Sequence, residues 1–281
     1  MRIDLHTHST ASDGTVPPAE LMVAAAAAGL DVVALTDHDT TAGWARAAAA
    51  LPPGLVLVPG LEMSCRWFGV SPSIPLHLLG YLVDPDHAGL AAELARVRSS
   101  RLRRAERIVD RLRADGFDVS WDEVRRYADG GTVGRPHIAN ALIRLGVVRT
   151  TAEAFRPEWL GERYRVPKED TDVFAGLGLI RAAGGVAVFA HPRATRRGRI
   201  VPDELIVELA AAGLAGLEAD HPDHSPDERA HVRGLAADLD LLVTGSSDFH
   251  GSHKTVALGA ETTAPEAYER LLALATGSWR L

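Results

Sequence analysis

Short apolar, β-branched runs recur along this chain with helical patterns between most of them. This alternation constrains the fold more than any other feature. The runs at 2–6 (RIDLH), 31–35 (DVVAL), 55–59 (LVLVP), 76–82 (LHLLGYL), 185–190 (GVAVFA), 215–219 (AGLEA) and 240–244 (DLLVT) read as strands. Helices are predicted over 17–28, 41–50, 172–183, 203–212, 226–238 and 265–275. Pro17, Pro18 and Pro202 sit near helix starts, where a missing N–H costs little. Ser225 to Glu228 (SPDE) is a capping box with proline at its first helical position. Strands that alternate with helices build βα units with mostly parallel pairing. Seven such strands suit a small, distorted (β/α)7 barrel of the α/β class better than an open sheet.

The rhythm breaks between residues 87 and 170, where no good strand appears. Leu94, Val97, Ala105, Ile108 and Leu112 share one face of a long helix. Shorter helices are expected at 121–128, 136–145 and 151–156. The reading is a barrel of residues 1–86 and 171–281 that carries a helical insertion at 87–170. The long helix holds eight arginines between Arg96 and Arg113. They read either as a solvated face or as a lid that attracts an anion. Trp121, Tyr127, Trp159 and Tyr164 could stack a base, but such residues more often pack helices together.

Bulk properties narrow the function classes. Of 281 residues, 46% are hydrophobic and 24% charged, enough for a sizeable soluble core. A net charge of -7 argues against a general nucleic-acid coat, without excluding a local basic pocket. One cysteine, Cys65, allows no disulfide within the chain, so a reducing cytoplasm is expected. The N-terminal MRIDLHTHS has no signal-peptide pattern, no run is suited to a membrane, and no stable protein partner is expected.

Chemistry-bearing side chains fall where the strands end. His6 and His8 close the first run, two apart, so an extended backbone projects both rings to one side. Asp13 follows in SDGT. Asp37 and His38 (LTDHDT) follow the second run, and Glu62 (PGLEMS) follows the third. His77 lies early in the fourth run, which is therefore short or runs against the others. His191 (FAHPR) closes the fifth. Asp220, His221 and His224 follow the sixth, and Asp248 and His250 (GSSDFHG) the seventh. Any one of these residues alone is an ordinary capped or exposed residue. Together they track the end of a βα-barrel where active sites are built. His87, His231 and His253 track no strand end and read as surface residues. Asp37 is expected to orient His38 or a neighbour.

HTH, Asp13, TDH, Glu62, His77, His191 and DFH together resemble the polymerase and histidinol phosphatase (PHP) family of metal-dependent phosphoesterases. The likeness spans the whole chain, with the insertion in its middle. VGRPHIA, residues 133–139, is similar to the bacterial branch that hydrolyses nucleoside 3′,5′-bisphosphates and trims short RNA from its 5′ end. The resemblance implies three divalent ions. His6, His8, Glu62 and Asp248 would hold the first. Glu62, His77 and His191 would hold the second, and Asp13, His38 and His250 the third. Mixed imidazole and carboxylate ligands suit Mn, Zn or Fe better than Mg or Ca. Glu62, His191 and Asp248 are the catalytic candidates, since they line the pair of ions that Glu62 joins. Arg135 and His137, at a predicted helix start, are the first candidates for the phosphate, then Arg193, then His221 and His224. The expected substrate is a small phosphorylated molecule, a nucleotide or short RNA. A histidinol-phosphate or cyclic-phosphate esterase of the same family is the alternative, and a non-catalytic metal-binding module is the reading from another class.

Overall fold

The computed structural model describes residues 1–128 and 131–277. Its strands are β1 (Ile3–Thr7), β2 (Val32–Leu35), β3 (Val56–Trp67), β4 (Ile74–Tyr81), β5 (Thr171–Asp172), β6 (Val186–Phe189), β7 (Gly216–Asp220) and β8 (Leu242–Gly245). They form one sheet in the order β1-β2-β3-β4-β6-β7-β8, with β5 paired to β3. β1–β2–β3 and β6–β7–β8 pair in parallel. β4 is antiparallel to both β3 and β6, which settles the direction of the run that holds His77. The sheet curls until its edges meet beyond β8: Thr7 bridges Phe249 in parallel, and His8 N–H donates to Phe249 O at 2.9 Å. A distorted barrel results.

The barrel's helices are α1 (Pro18–Ala27), α2 (Trp44–Ala49), α7 (Val173–Ala182), α8 (Asp203–Ala211), α9 (Pro226–Asp238) and α10 (Pro265–Leu274), while α3 (Ala88–Ala114), α4 (Trp121–Tyr127), α5 (Arg135–Arg144) and α6 (Thr151–Ala154) lie in the middle of the chain. The capping box before α9 forms as expected, with Glu228 N–H on Ser225 Oγ at 3.2 Å and Ser225 N–H on Glu228 Oε2 at 2.7 Å. Val33 and Leu35 of β2 join one apolar cluster, and Val32 and Ala34 another, so both faces of the strand are covered.

One expectation needs correction. β3 runs through Glu62, which therefore sits inside a strand rather than after one. Pro59 and Gly60 read as a strand end. Yet Pro59 spends its carbonyl on Leu82 N–H, and Gly60 lets the Thr36 methyl and the Tyr81 ring approach where a Cβ would stand only 2.9 and 3.2 Å away. The four aromatics of the helical segment follow the commoner of their two readings, that of packing residues. Trp159 stacks on Tyr164 at 6.1 Å and meets Phe117 edge-on at 5.2 Å, within or against an apolar cluster built on Ile108, Leu112, Ile138 and Leu142. Trp121 packs on the same cluster, so these rings, Tyr127 apart, are packing residues. Tyr127 is partly exposed, with its hydroxyl on Glu123.

α3 links the two regions. It has 27 residues and, at a rise of 1.5 Å each, is about 40 Å long. Leu90 and Leu94 belong to the barrel's core, whereas Ala105, Ile108 and Leu112 belong to the helical segment's own. His87, read as a surface residue, caps its start by accepting from Leu90 N–H at 3.2 Å.

Candidate metal centre

The nine residues that the family likeness implies as ligands converge. The His6 and His8 Nε2 atoms are 3.0 Å apart. Glu62 Oε2 lies 3.3 and 3.2 Å from them, and Asp248 Oδ1 lies 3.5 and 3.4 Å from them. His77 Nδ1 and His191 Nε2 approach Glu62 Oε1 at 2.7 and 3.1 Å, while His38 Nδ1 approaches Oε2 at 3.1 Å. Asp13 meets His250 at 3.4 Å, and His8 and His38 at 3.7 Å. Three sets bring ligand atoms within 4.8 Å of one another: His6, His8 and Asp248; His38, Glu62 and His77; and His8, Asp13, His38 and His250. His38 thus stands between two sets.

Local structure explains why these side chains can meet. Gly14 returns the loop after β1 onto His8, at a place where a Cβ would lie 2.4 Å from His8 O. Asp37 accepts from Ser9 N–H (2.8 Å), Ser9 Oγ (2.6 Å) and Ser12 Oγ (2.6 Å). It therefore shapes the loop that carries Asp13, a neighbour of His38 in the cluster, rather than touching His38 itself. His191 (φ 35°) and Asp248 (φ 51°) have left-handed backbone. Strain of this kind in non-glycine residues collects at functional sites.

The donor set fits metal ions. Two ring nitrogens 3.0 Å apart repel unless one carries a proton or both face one cation. His6 Nδ1 is held by Glu218 Oε1 at 3.0 Å, which leaves the Nε2 lone pair for the cluster. His250 Nδ1 likewise lies 2.8 Å from Asp248 O, leaving Nε2 facing Asp13. His38 Nδ1 and His77 Nδ1 are buried without a hydrogen bond, close as both are to Glu62. Lone pairs aimed past a carboxylate into a shared space are what a bound cation would use.

Electrostatics agree. Burial opposes the charge on Glu62, but His77, His38 and His6 hold its carboxyl well below the usual range. Burial likewise opposes the charge on Asp248, and Lys254, His6 and Arg197 hold it low. Its two oxygens divide the work. Oδ1 faces the imidazoles, and Oδ2 accepts from Lys254 Nζ (2.5 Å) and Arg197 Nη2 (2.5 Å), with His221 Nε2 at 3.2 Å.

Sequence reasoning passed over Glu218, Arg197 and Lys254. Glu218 also accepts from His191 N–H at 2.8 Å and bonds Ser246 Oγ, so it positions two of the histidines. Its place inside the AGLEA run was the available signal, since a carboxylate in a buried strand needs partners. No local pattern marks Arg197 or Lys254.

The phosphate candidates divide. Arg135 and His137 do open α5, whose approach to the barrel is close: a Cβ on Gly131 would stand 2.4 Å from Thr10 O, and His253 joins Asp13 O (2.9 Å) to Asn140 Nδ2 (3.2 Å). His253 is therefore a bridge rather than a surface residue. His137 Nδ1 accepts from Gly134 N–H at 3.0 Å, and burial pushes its pKa down to about 4. Arg193 is committed to its own loop, on Val201 O (2.7 Å) and Asp203. His224 uses both nitrogens on backbone, at Arg193 N–H and Ala219 O.

A curled α/β sheet with this cluster defines the class, a metal-dependent hydrolase on a barrel. Residues 4–73 match the PHP domain. The chain is 37% identical to a 5′-3′ exoribonuclease of Haemophilus influenzae, over 89% of this chain and 90% of that protein. It is 36% identical to a 3′,5′-nucleoside bisphosphate phosphatase of Chromobacterium violaceum, over 88% and 87%. A crystal structure from Bifidobacterium adolescentis, assigned to the metal-dependent phosphoesterases, superposes with a TM-score of 0.92 at 35% identity, covering 98% of this chain and 97% of that one. The chain belongs to the PHP family of metal-dependent phosphoesterases. Among the described residues no helix is long and apolar enough to cross a membrane.

Proposed function

We propose that this chain hydrolyses the 3′-phosphate of nucleoside 3′,5′-bisphosphates and acts on the 5′ ends of short RNA, in the cytoplasm. Three divalent ions of the Mn, Zn or Fe type would be held by His6, His8, Glu62 and Asp248; by Glu62, His77 and His191; and by Asp13, His38 and His250. Such ions supply Lewis acidity that neutralises phosphoryl charge and acidifies water. Segment 87–170 serves as an inserted specificity unit.

One observation carries this reading. The helices α3 and α5, rich in arginine, dock on the residues that flank the cluster. Arg98 Nη1 donates to Asp39 O at 2.8 Å and Arg101 Nη2 to Ser64 Oγ at 2.6 Å, one and two residues past His38 and Glu62. A phosphate ester held at the cluster would have cations on its far side. The two relatives named for nucleotide and RNA substrates align across this same segment, within matches covering nearly nine-tenths of the chain.

The chain's own residues have distinct tasks. Asp248 steers the attacking water, and His221, with Nε2 3.2 Å from Oδ2, stands where it can accept the proton. Arg197 and Lys254 stand at the mouth, about one-third exposed, where they can meet phosphoryl oxygens. They are better placed for this than Arg193. Arg135 and His137 present the positive end of α5.

Phosphate release from metal-depleted protein resupplied with Mn²⁺ tests the reading. The substrates are adenosine 3′,5′-bisphosphate, AMP, histidinol phosphate, a cyclic phosphate and a short 5′-phosphorylated RNA. The bisphosphate and the RNA are expected to turn over fastest. Preference for histidinol phosphate or the cyclic ester would overturn the substrate, and no release from any would overturn the activity.

A further inference from the structure

The helical segment covers one side of the barrel mouth. Thr132 N–H donates to Ala11 O at 3.0 Å, and Arg98 and Arg101 reach Asp39 and Ser64, so the loops after β1 and β2 and the middle of β3 lie against it. The other side is formed by the loop after β6 and by the β3–β4 hairpin. There TRRGR, residues 195–199, places three arginines in four residues, Arg196, Arg197 and Arg199. Arg197 turns inward to Asp248. Arg199 Nη1 donates to Pro72 O at 2.7 Å and ties the loop to the hairpin.

Between this loop and the hairpin lies a cleft of about 710 Å³, within the range of small-ligand sites. Trp67, Val70 and Ile74 of the hairpin and Ile200 of the loop give it apolar walls. The Trp67 ring is fixed. It packs on the barrel core, and a Cβ on Gly69 would stand only 2.6 Å from it. Two of the acids that line the cleft are engaged. Asp203 holds Arg193 and His231, and Glu228 accepts from Thr195 Oγ (2.6 Å) and Ser225 N–H (2.7 Å). Asp227 holds no partner among the described residues, and a carboxylate there can accept from the exocyclic amino group of a base. The cleft is thus aromatic and acidic within and basic along its rim. That order suits a nucleotide with its base inward and its phosphate outward. Arg199 is two residues from Arg197, at most about 7 Å of chain, so the rim adjoins the cluster.

We propose that this cleft binds an RNA substrate by the base on the 3′ side of the phosphate that is cleaved. Trp67 stacks on that base, and Arg196 and Arg199 hold the phosphate that follows. This rests on the reading of the barrel cluster as the place of cleavage. An enzyme that trims an end needs one side of its site to stop the chain and another to let the remainder out. The helical segment is the first, and the cleft lies on the second. The water oxygen joins phosphorus and the bond to O3′ breaks. One water proton goes to O3′ and the other leaves to solvent. The first nucleotide departs as a 5′-monophosphate, and the cleaved phosphate stays on the shortened RNA.

Adenosine 3′,5′-bisphosphate lacks the second base and the trinucleotide pApApA carries it. The ratio of kcat/KM for pApApA over the bisphosphate, in the Mn²⁺-loaded full-length chain, therefore reads the cleft. In Trp67→Leu the ratio falls about tenfold, within what one stacked base contributes. Trp67→Phe keeps most of it. Arg199→Gln, a change at the exposed rim, lowers it severalfold. Phe68→Ala, at the hairpin tip and outside the cleft, keeps the wild-type ratio. If circular dichroism shows that Trp67→Leu does not fold, Arg199→Gln decides. An unchanged ratio in the folded variants overturns the proposal, and so does an equal fall in Phe68→Ala. In either case, wild-type turnover of both substrates leaves the proposed function standing without this site. If wild type cleaves the bisphosphate but not the RNA, the cleft is not a nucleotide site and the phosphatase reading stands alone. If it cleaves neither, the cleavage reading fails and the proposal falls with it.

Discussion

The mouth of the barrel and the helical segment bury opposite charges. At the mouth Glu62, Glu218 and Asp248 sit among imidazoles, each 2% exposed or less. Across from them Arg101 and Arg104 are buried on α3, and Arg135 is half-buried on α5. Neither side balances itself. Lone pairs in the barrel converge on a space suited to cations, while Arg104 Nε is buried with no hydrogen-bond partner among the described residues. The difference teaches that the barrel's acids lie among groups able to hold cations, while the helical segment turns buried arginines toward it. Where they touch, at Arg101 and Asp39, the charges are already matched.

The sharpest way to break this comparison is at the barrel. His6→Ala and Asp248→Asn should each lower kcat on the order of 10³-fold, the upper range for removing one preorganised stabilising group. Metal content by elemental analysis should fall while circular dichroism stays unchanged. Wild-type turnover in both variants would mean that the cluster is not the reaction centre.

The junction comes next. Arg101→Met leaves the Asp39 carboxylate buried, with only Ser64 to hold it. Against the effect of burial, Arg101 leads the groups, with Lys168, His38 and Ser64 N–H, that bring Asp39 to a pKa of about 2. Unfolding in urea should show a loss of about 3 kcal/mol or more. A neutral result would detach the docking of α3 from stability.

Glu218→Gln keeps the shape but weakens the hold on His6 Nδ1. A loss of about 10–100-fold in metal affinity or activity is expected, as for other partners of metal-binding histidines. Titration of Mn²⁺ into depleted protein measures it, and unaltered affinity would make Glu218 a packing residue only.

The smallest effect lies in the helical segment. His137 ordinarily titrates at 6.5 and is pushed down by burial to about 4. Between those values the unfolded chain binds a proton that the folded chain refuses. Stability is therefore intact above pH 6.5, declines as pH falls toward 4, and then levels off. The loss is on the order of 1–3 kcal/mol. The slope of stability against pH should be shallower in His137→Asn, whose side chain can still accept from Gly134 N–H. Equal slopes would show that the cap tolerates the charge.

Much of the site was legible because the pattern is carried by strand ends. His6, His8, His38, His191, Asp248 and His250 each follow or close an apolar run, and a barrel gathers such positions at one end. Glu62 was found for a partly wrong reason, since Pro59 and Gly60 hide the continuation of β3. His77 was found without its direction, because pairing with β3 and β6 decides that β4 runs backwards. Arg193 looked like a phosphate ligand by its closeness to His191, yet its guanidinium turned out to serve Val201 and Asp203.

Periodicity and the spacing of ligand-type residues are properties of the chain, so the sequence alone determined the alternating architecture, the helical segment and the gathering of ligand-type residues near strand ends; which nine of them converge was implied by the family likeness. Only the tertiary structure decided the closure through Phe249, the holding of His6 and His191 by Glu218, the presence of Arg197 and Lys254 at Asp248, and the isolation of Arg104. These depend on contacts between residues far apart in sequence. An arginine among eight on one helix carries no local mark of being buried without a partner. That becomes visible only once Asp39 is matched to Arg101, and Asp170 to Arg66 and Lys168, among the described residues.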